Sequence, residues 1–517
     1  MLAPTLMVQG TASSAGKSLF VTALCRLFRD EGIRVAPFKS QNMSLNSAVT
    51  PDGYEIGRAQ AVQAAAAGIV PTVEMNPILL KPEGNARSQV VVMGKPIGSE
   101  TAHRYDGRRP EFEEIVARCL TSLREQYDLV VIEGAGSPAE VNLKDRDVAN
   151  MYIAKLADAP VVLVGDIDLG GVFASFVGTL ELLDPDERER VVAFVVNKFR
   201  GDVKLLQPGL DILTERTGKP TLGVLPYVRG LAIADEDSVS IENRRGRYRP
   251  GYDQIDIAVI RFPRISNYDD VLPLEHEPKV VVRFVETAEA AAGADLVILP
   301  GSKNTVLDLS WLRSTGIADV VAQRAENGEP VLGICGGCQM LGETIEDPHG
   351  VESGEPRVRG LGLLPLRTRF GREKVTAKVE ARRSTGSLLH PRDGDEPLAG
   401  YEIHMGVVER TAEGTGAYEI VSRNGTSARV ADGAVDERGT VVGTMIHGLL
   451  DNVSVRAGLL TALAGRKGLA YEHGAEGVAS AEDEYDRLAE TVRESMDLDL
   501  LWQIAGLARE TRDLPQK

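Results

Sequence analysis

Two α/β domains in tandem are what this sequence predicts, and three observations carry the prediction. Short apolar or β-branched runs alternate with amphipathic stretches through the first half of the chain. A polar stretch containing RRGRYRPGYD interrupts the pattern after residue 226. The alternation then resumes at Ile255 and runs to about Asp451. Repeated strand, helix, strand order implies a mostly parallel, doubly wound sheet with helices on both faces, once in each half.

In the first half, strands are expected at 5–9, 35–38, 129–133, 161–165 and 191–197, with helices at 18–30 and 112–126. In the second half, IDIAVIRF, DLVILPGS, PVLGICGG and TVVGTMIHG read as strands running into loops. Beyond Asp451 the chain turns helical, and Leu488, Val492, Met496 and Leu500 recur at i+4 spacing, the apolar face of a packing helix. The expected organisation is a first domain over 1–228, a linker over 229–254, a second domain over 255–455 and a helical extension over 456–517.

Bulk properties narrow the function classes. A length of 517 residues suits two or three domains, and 43 % hydrophobic with 26 % charged residues is ordinary for a soluble globular chain. No run approaches the roughly 18 apolar residues of a membrane span. The N-terminus, MLAPTLMVQG, reads as a first strand rather than a signal peptide, so a cytoplasmic location is expected. A formal charge of -17 repels phosphate backbones and argues against nucleic-acid binding. Four cysteines, Cys25, Cys119, Cys335 and Cys338, form no disulfide framework and fit a reducing compartment.

Two motifs carry chemistry. Residues 10–18 read GTASSAGKS, after an expected strand and before an expected helix. This is a phosphate loop: the amides around Gly10, Thr11 and Gly16 cradle phosphate, Lys17 adds a point charge, and the Ser18 hydroxyl ligates Mg²⁺. The spacing is one residue longer than the standard form. Glu133, at the tip of the expected 129–133 strand, is placed for a second Mg²⁺ contact.

The second motif is GICGG at 333–337, where a thiol sits between glycines on a strand-to-helix turn. Such an elbow presents Cys335 at a helix N-terminus, which favours thiolate. A thiolate attacks an amide carbonyl to give a thioester and free ammonia. Backbone at Gly301, in LPGSK, and the N–H of Gly336 are candidates for an oxyanion hole. The base should be a histidine at another strand end. His447, in GTMIHG, is favoured, and His404, in YEIHMG, is the other candidate. Cys335 and Cys338 also form C-x-x-C, but no second pair exists to complete a zinc site.

With both motifs in one chain, the sequence resembles the cobyric acid synthases, glutamine-hydrolysing enzymes of cobalamin biosynthesis. The resemblance covers nearly the whole chain and rests on GTASSAGKS, PFKSQNMSLNS, EIGRAQ, NPILLKP, EGAGSPAEVNL, DVANM, GDIDLGGVFAS, NKFRGD, LPGSK, GICGGCQMLG, YEIHMG and GTMIHGLLD, in order. It implies an N-terminal dethiobiotin-synthetase-like domain that binds ATP and Mg²⁺, and a C-terminal class I glutamine amidotransferase-like domain. It implies glutamine and adenosylcobyrinic acid a,c-diamide as substrates, with the b, d, e and g carboxylates amidated to give adenosylcobyric acid. By the same resemblance, Lys39 is a second phosphate-side lysine, Asp147 contacts the activated carboxylate or ammonia, and Asn197 reads adenine. The cobyrinic acid a,c-diamide synthases share both domain types and are the alternative, and NMSLNS, EIGRAQ and YEIHMG favour the first family. Oligomeric state is left open.

The chain departs from the pattern in two places. Class I amidotransferases generally carry glutamate two residues after the histidine, where this chain has Leu449. Either another group orients His447 or the arrangement is a dyad. Cys338 stands where relatives often carry tyrosine.

Overall fold

The computed structural model describes residues 2–84, 87–231, 233, 251–384, 386–389, 396–413, 416–471 and 480–508. Most of the expected linker lies outside the described residues.

The first domain is built on a six-stranded parallel sheet in the order Thr221–Pro226, Val191–Phe199, Val161–Asp166, Thr5–Gly10, Leu129–Glu133, Val35–Phe38. Its three central strands are buried at every position. Helices cover both faces of such a sheet, so its strands read as continuous apolar runs rather than alternating ones. The helix Lys17–Asp30 leaves almost directly from the tip of Thr5–Gly10. Between Gln41 and Thr101 the chain adds a four-stranded sheet of Gln41–Met43, Ile78–Gly84, Arg87–Val92 and Lys95–Thr101, which the sequence pattern did not announce.

The second domain repeats the parallel theme in the order Val280–Val285, Ile255–Ile260, Leu296–Leu299, Val331–Ile334, Val441–Thr444, with Ala434–Val435 added antiparallel at the edge. A largely antiparallel sheet stands beside it, dominated by the paired long strands Leu366–Arg383 and Leu398–Arg410.

Two expectations about the C-terminal region change. The helix Val453–Arg466 buries Val455, Leu459, Leu460 and Leu463 in the second domain's core, so the expected boundary after residue 455 cuts through a helix. Residues 480–508 then return to the first domain. There, Tyr485, Leu488, Val492 and Trp502 join the core around helix Lys17–Asp30. Arg26 on that helix donates to Asp486 (2.7 Å) and Glu482 (2.6 Å), and Phe28 packs on Trp502 at 4.9 Å between ring centroids. The i+4 face also spans a break. The helix Ala481–Ser495 stops before Met496, which turns extended and bridges Gly223, and Leu500 belongs to the next helix, Leu498–Ile504.

Candidate active site

The chain's two chemical motifs fold at the C-terminal ends of the two parallel sheets, where open α/β sheets bind ligands. At the first, Gly16 adopts φ +95°, and a Cβ there would lie 2.0 Å from the Asn197 amide nitrogen. Only glycine fits this position. Lys17 Nζ donates to the carbonyls of Ala12 and Gly136, each at 3.1 Å, so the ammonium is held over the loop's mouth. Glu133 is fully buried, and its carboxylate gathers three donors: Ser18 Oγ at 2.8 Å, Lys39 Nζ at 2.9 Å and Gln63 Nε2 at 2.5 Å. The Ser18 hydroxyl and the Glu133 carboxylate place hard oxygen atoms side by side, a set that could hold Mg²⁺. Among the described residues there is no cluster of three or more His, Cys, Asp or Glu that could hold a metal ion.

Two residues singled out from the sequence hold the loops here. Asn197 donates to the Ala15 carbonyl (2.9 Å) and accepts from the Lys198 amide (2.8 Å), so its side chain braces the phosphate loop. Asp147 accepts the backbone N–H groups of Ala149, Asn150 and Tyr152 at 2.9, 2.8 and 3.2 Å, organising the entry to helix Met151–Ala157. Lys198 was not singled out. With φ +62°, it reaches back to the Ser14 carbonyl and Asp166 at 2.8 and 2.7 Å.

At the second sheet, Val331–Ile334 ends in Cys335, whose φ of +51° and ψ of -109° mark a strained turn into helix Gly336–Leu341. The glycines make the turn possible. A Cβ on Gly337 would sit 1.9 Å from the Leu299 carbonyl, and one on Gly336 would sit 2.8 Å from the Ser302 amide nitrogen. The Gly301–Ser302 strand therefore lies directly against the elbow, and a Cβ on Gly301 would come within 3.4 Å of the His447 ring.

His447 lies three residues past strand Val441–Thr444, buried, and close enough to Cys335 for the two side chains to interact electrostatically. Its Nδ1 is 2.7 Å from the Asp270 carboxylate, whose other oxygen accepts the Gly448 N–H at 2.7 Å. Burial alone would lower the His447 pKa. The Asp270 carboxylate and the Cys335 side chain outweigh it and push the value up to about 10. The group orienting the histidine is thus Asp270, 177 residues upstream, while Leu449 is buried among apolar neighbours. His404 lies in the long strand Leu398–Arg410, its Nδ1 3.1 Å from the Gly406 carbonyl, and lines the pocket beside Cys335.

Comparison with known proteins agrees with this division. Residues 6–241 match the CobQ/CobB/MinD/ParA nucleotide binding domain, and residues 256–455 match the CobB/CobQ-like glutamine amidotransferase domain. The cobyric acid synthase of Sorangium cellulosum is 61 % identical over 98 % of this chain and 100 % of its own length. Those of Desulforamulus reducens and Moorella thermoacetica are each 48 % identical, covering 98 % of this chain and 99 % and 98 % of their own lengths. The chain belongs to the cobyric acid synthase family. It is an enzyme of the glutamine amidotransferase type, with a nucleotide-binding domain joined to an amidotransferase domain. Among the described residues no helix is long and apolar enough to cross a membrane.

In this family member the two domains meet beside His447. Tyr401 stacks on the His447 ring at 5.1 Å, and its hydroxyl accepts from Arg58 (2.5 Å) and Asn267 (3.2 Å). Arg58 comes from the nucleotide-binding domain and also pairs with Asp269 at 2.7 Å, next in sequence to the orienting Asp270. Asn267 exchanges hydrogen bonds with Asn46 (2.9 Å) and Ser47 (3.3 Å) across the same junction. Sequence reading missed Asp270, Asp269, Arg58 and Tyr401. The signals were there, in the paired acids of NYDD after a strand and the arginine of EIGRAQ, but only the fold brings them together.

Proposed function

We propose that this enzyme uses ATP and glutamine to amidate the b, d, e and g carboxylates of adenosylcobyrinic acid a,c-diamide, giving adenosylcobyric acid. The reading of the glutaminase half rests above all on one observation: a buried Asp270–His447–Cys335 chain at a strained elbow. The corrinoid substrate is the reading drawn from the full-length likeness to the cobyric acid synthases.

In the amidotransferase domain, the Cys335 thiolate attacks the side-chain carbonyl carbon of glutamine. A C–S bond forms, and backbone N–H groups at the turn, with Gly301 and Gly336 as candidates, face the oxyanion. His447, charged through Asp270, gives its proton to the departing nitrogen as the C–N bond breaks, and ammonia leaves. Water activated by the now neutral His447 hydrolyses the thioester to glutamate and restores the thiolate.

In the nucleotide-binding domain, the phosphate loop and Lys17 hold the triphosphate of ATP, with Lys39 on the same side. Ser18 and Glu133 would hold Mg²⁺, which neutralises phosphate charge when bound. A substrate carboxylate takes the γ-phosphoryl group, releasing ADP. Ammonia then attacks the resulting acyl phosphate, loses a proton and displaces phosphate. The activation is needed because carboxylate and ammonia alone form only a salt.

Paired variants test the division of labour. Cys335→Ser should abolish glutamine-supported amidation while ammonia-supported amidation continues, and Lys17→Ala should abolish both. A Cys335→Ser enzyme that still uses glutamine, or a Lys17→Ala enzyme at near-normal rate with ammonia, would overturn the assignment of that half.

A further inference from the structure

The pocket at the elbow is not built by the amidotransferase domain alone. Beside Cys335 and His447 it is lined by Lys374, Glu352 and, from the nucleotide-binding domain, Lys81 and Gln89. Its charges are arranged in two groups. Lys81 and Lys374 share a single carboxylate, Glu55, at 2.8 and 2.5 Å, and all three side chains are at most 6 % exposed. That cluster carries one positive charge in excess, which is costly to bury without an anion. Glu352 stands elsewhere on the wall, its Oε2 accepting the Thr305 N–H at 3.0 Å. The nearby Lys303 is already paired with Glu83 at 2.9 Å. The wall thus sets a cluster with excess positive charge apart from a separate carboxylate, as suits a zwitterion. Gln89 is only 7 % exposed, yet its side-chain oxygen has no hydrogen-bond partner. An unsatisfied buried acceptor of this kind calls for a donor.

We propose that this pocket reads the α-amino-acid end of glutamine with side chains from both domains: the α-carboxylate lies against Lys374 and Lys81, and the α-ammonium against Glu352 and the Gln89 oxygen. The glutamine site is then complete only when the nucleotide-binding domain is docked. The inference rests on the reading of Cys335 as the nucleophile, because the same pocket must place the side-chain amide at that thiol. The ionisation of the two groups agrees with it. Burial lowers the Lys374 pKa to about 8, with Glu55 opposing and Lys81 adding to the effect, so an arriving anion relieves a strained cation. Burial raises Glu352 to about 7 against the pull of Lys303, so an arriving cation would stabilise its carboxylate.

The test deletes one functional group at a time from ligand and protein. Ammonia release by the full-length enzyme is measured with glutamine, with 4-aminobutanamide, which lacks the α-carboxylate, and with 4-carbamoylbutanoate, which lacks the α-ammonium. Lys374→Met should lower kcat/KM for glutamine at least about tenfold and leave the 4-aminobutanamide value in place, the scale of a charge-assisted hydrogen bond. Glu352→Gln and Gln89→Leu should spare 4-carbamoylbutanoate in the same selective way. Equal losses on all three substrates, or no loss on glutamine, would overturn the proposal. Gln89→Leu exchanges one neutral side chain for another and keeps the test open if Lys374→Met fails to fold, with ammonia-supported amidation reporting an intact first domain. Undiminished glutamine hydrolysis by Cys335→Ser would instead overturn the underlying nucleophile assignment.

Discussion

Replacing Asp270 with asparagine isolates the contribution of the residue that stands in for the missing glutamate. The side chain keeps its size, but the negative charge beside His447 Nδ1 is lost. The rise of the His447 pKa from the usual 6.5 to about 10 corresponds to roughly 5 kcal/mol net favouring imidazolium, as an order of magnitude, after burial has opposed it and Asp270 and Cys335 have outweighed burial. If Asp270 supplies about half, the imidazolium loses about 2–3 kcal/mol, or roughly a hundredfold. A wrong ring tautomer adds to this, and the corresponding change in serine protease triads costs about 10⁴. Glutamine-supported kcat/KM should therefore fall between about 10² and 10⁴, while ammonia-supported amidation holds. Glutaminase activity within threefold of the parent enzyme would refute a functional Asp270–His447 pair.

Two further perturbations probe the domain junction. Arg58→Met leaves the largely covered Asp269 without its cation, and since breaking a fully buried pair costs about 3–5 kcal/mol, this partly exposed one should cost somewhat less. Denaturant unfolding should report that loss, and the glutaminase should weaken even though Arg58 lies in the other domain. Glu55 is pushed upward by burial but held well below the usual carboxylate range by Lys374 and Lys81. A depressed carboxylate stabilises the fold above its unfolded value of about 4.3, and the benefit fades as pH falls below it. Melting temperature should thus drop steeply below about pH 4 in the parent enzyme and less steeply in Glu55→Gln, and identical acid limbs would show that this ion cluster does not couple stability to pH.

The parallel strands were readable because burial on both faces writes them as unbroken apolar runs. Val35–Phe38 and Leu129–Glu133 fall where the pattern put them. The long strands of the second sheet were not readable for the converse reason. Leu366–Arg383 buries about every other residue over much of its length and sets Arg, Glu and Lys between them, so no window of it looks apolar. The phosphate loop and the elbow were legible because local backbone chemistry demands glycines at fixed offsets, as Gly16 and Gly337 show. Asp270 was invisible for lack of any local rule, since a carboxylate that orients a histidine can come from any element the fold brings near. The expectation of a glutamate at Leu449 looked only along the chain. Asn197 and Asp147 were picked out by likeness of sequence, and their hydrogen bonds tie them to loop backbone. Arg58 and Tyr401 gain meaning only at the contact between domains, which no single-domain motif encodes.

The most direct test of the central claim is to incubate the purified enzyme with ATP, Mg²⁺, glutamine and adenosylcobyrinic acid a,c-diamide and follow the corrinoid by chromatography-coupled mass spectrometry. Each exchange of a carboxylic acid for an amide lowers the mass by about one unit, a consequence of the ligation chemistry. Four successive ATP-dependent losses are predicted. An unchanged a,c-diamide, with cobyrinic acid amidated twice in its place, would contradict the substrate assignment and make the enzyme an a,c-diamide synthase.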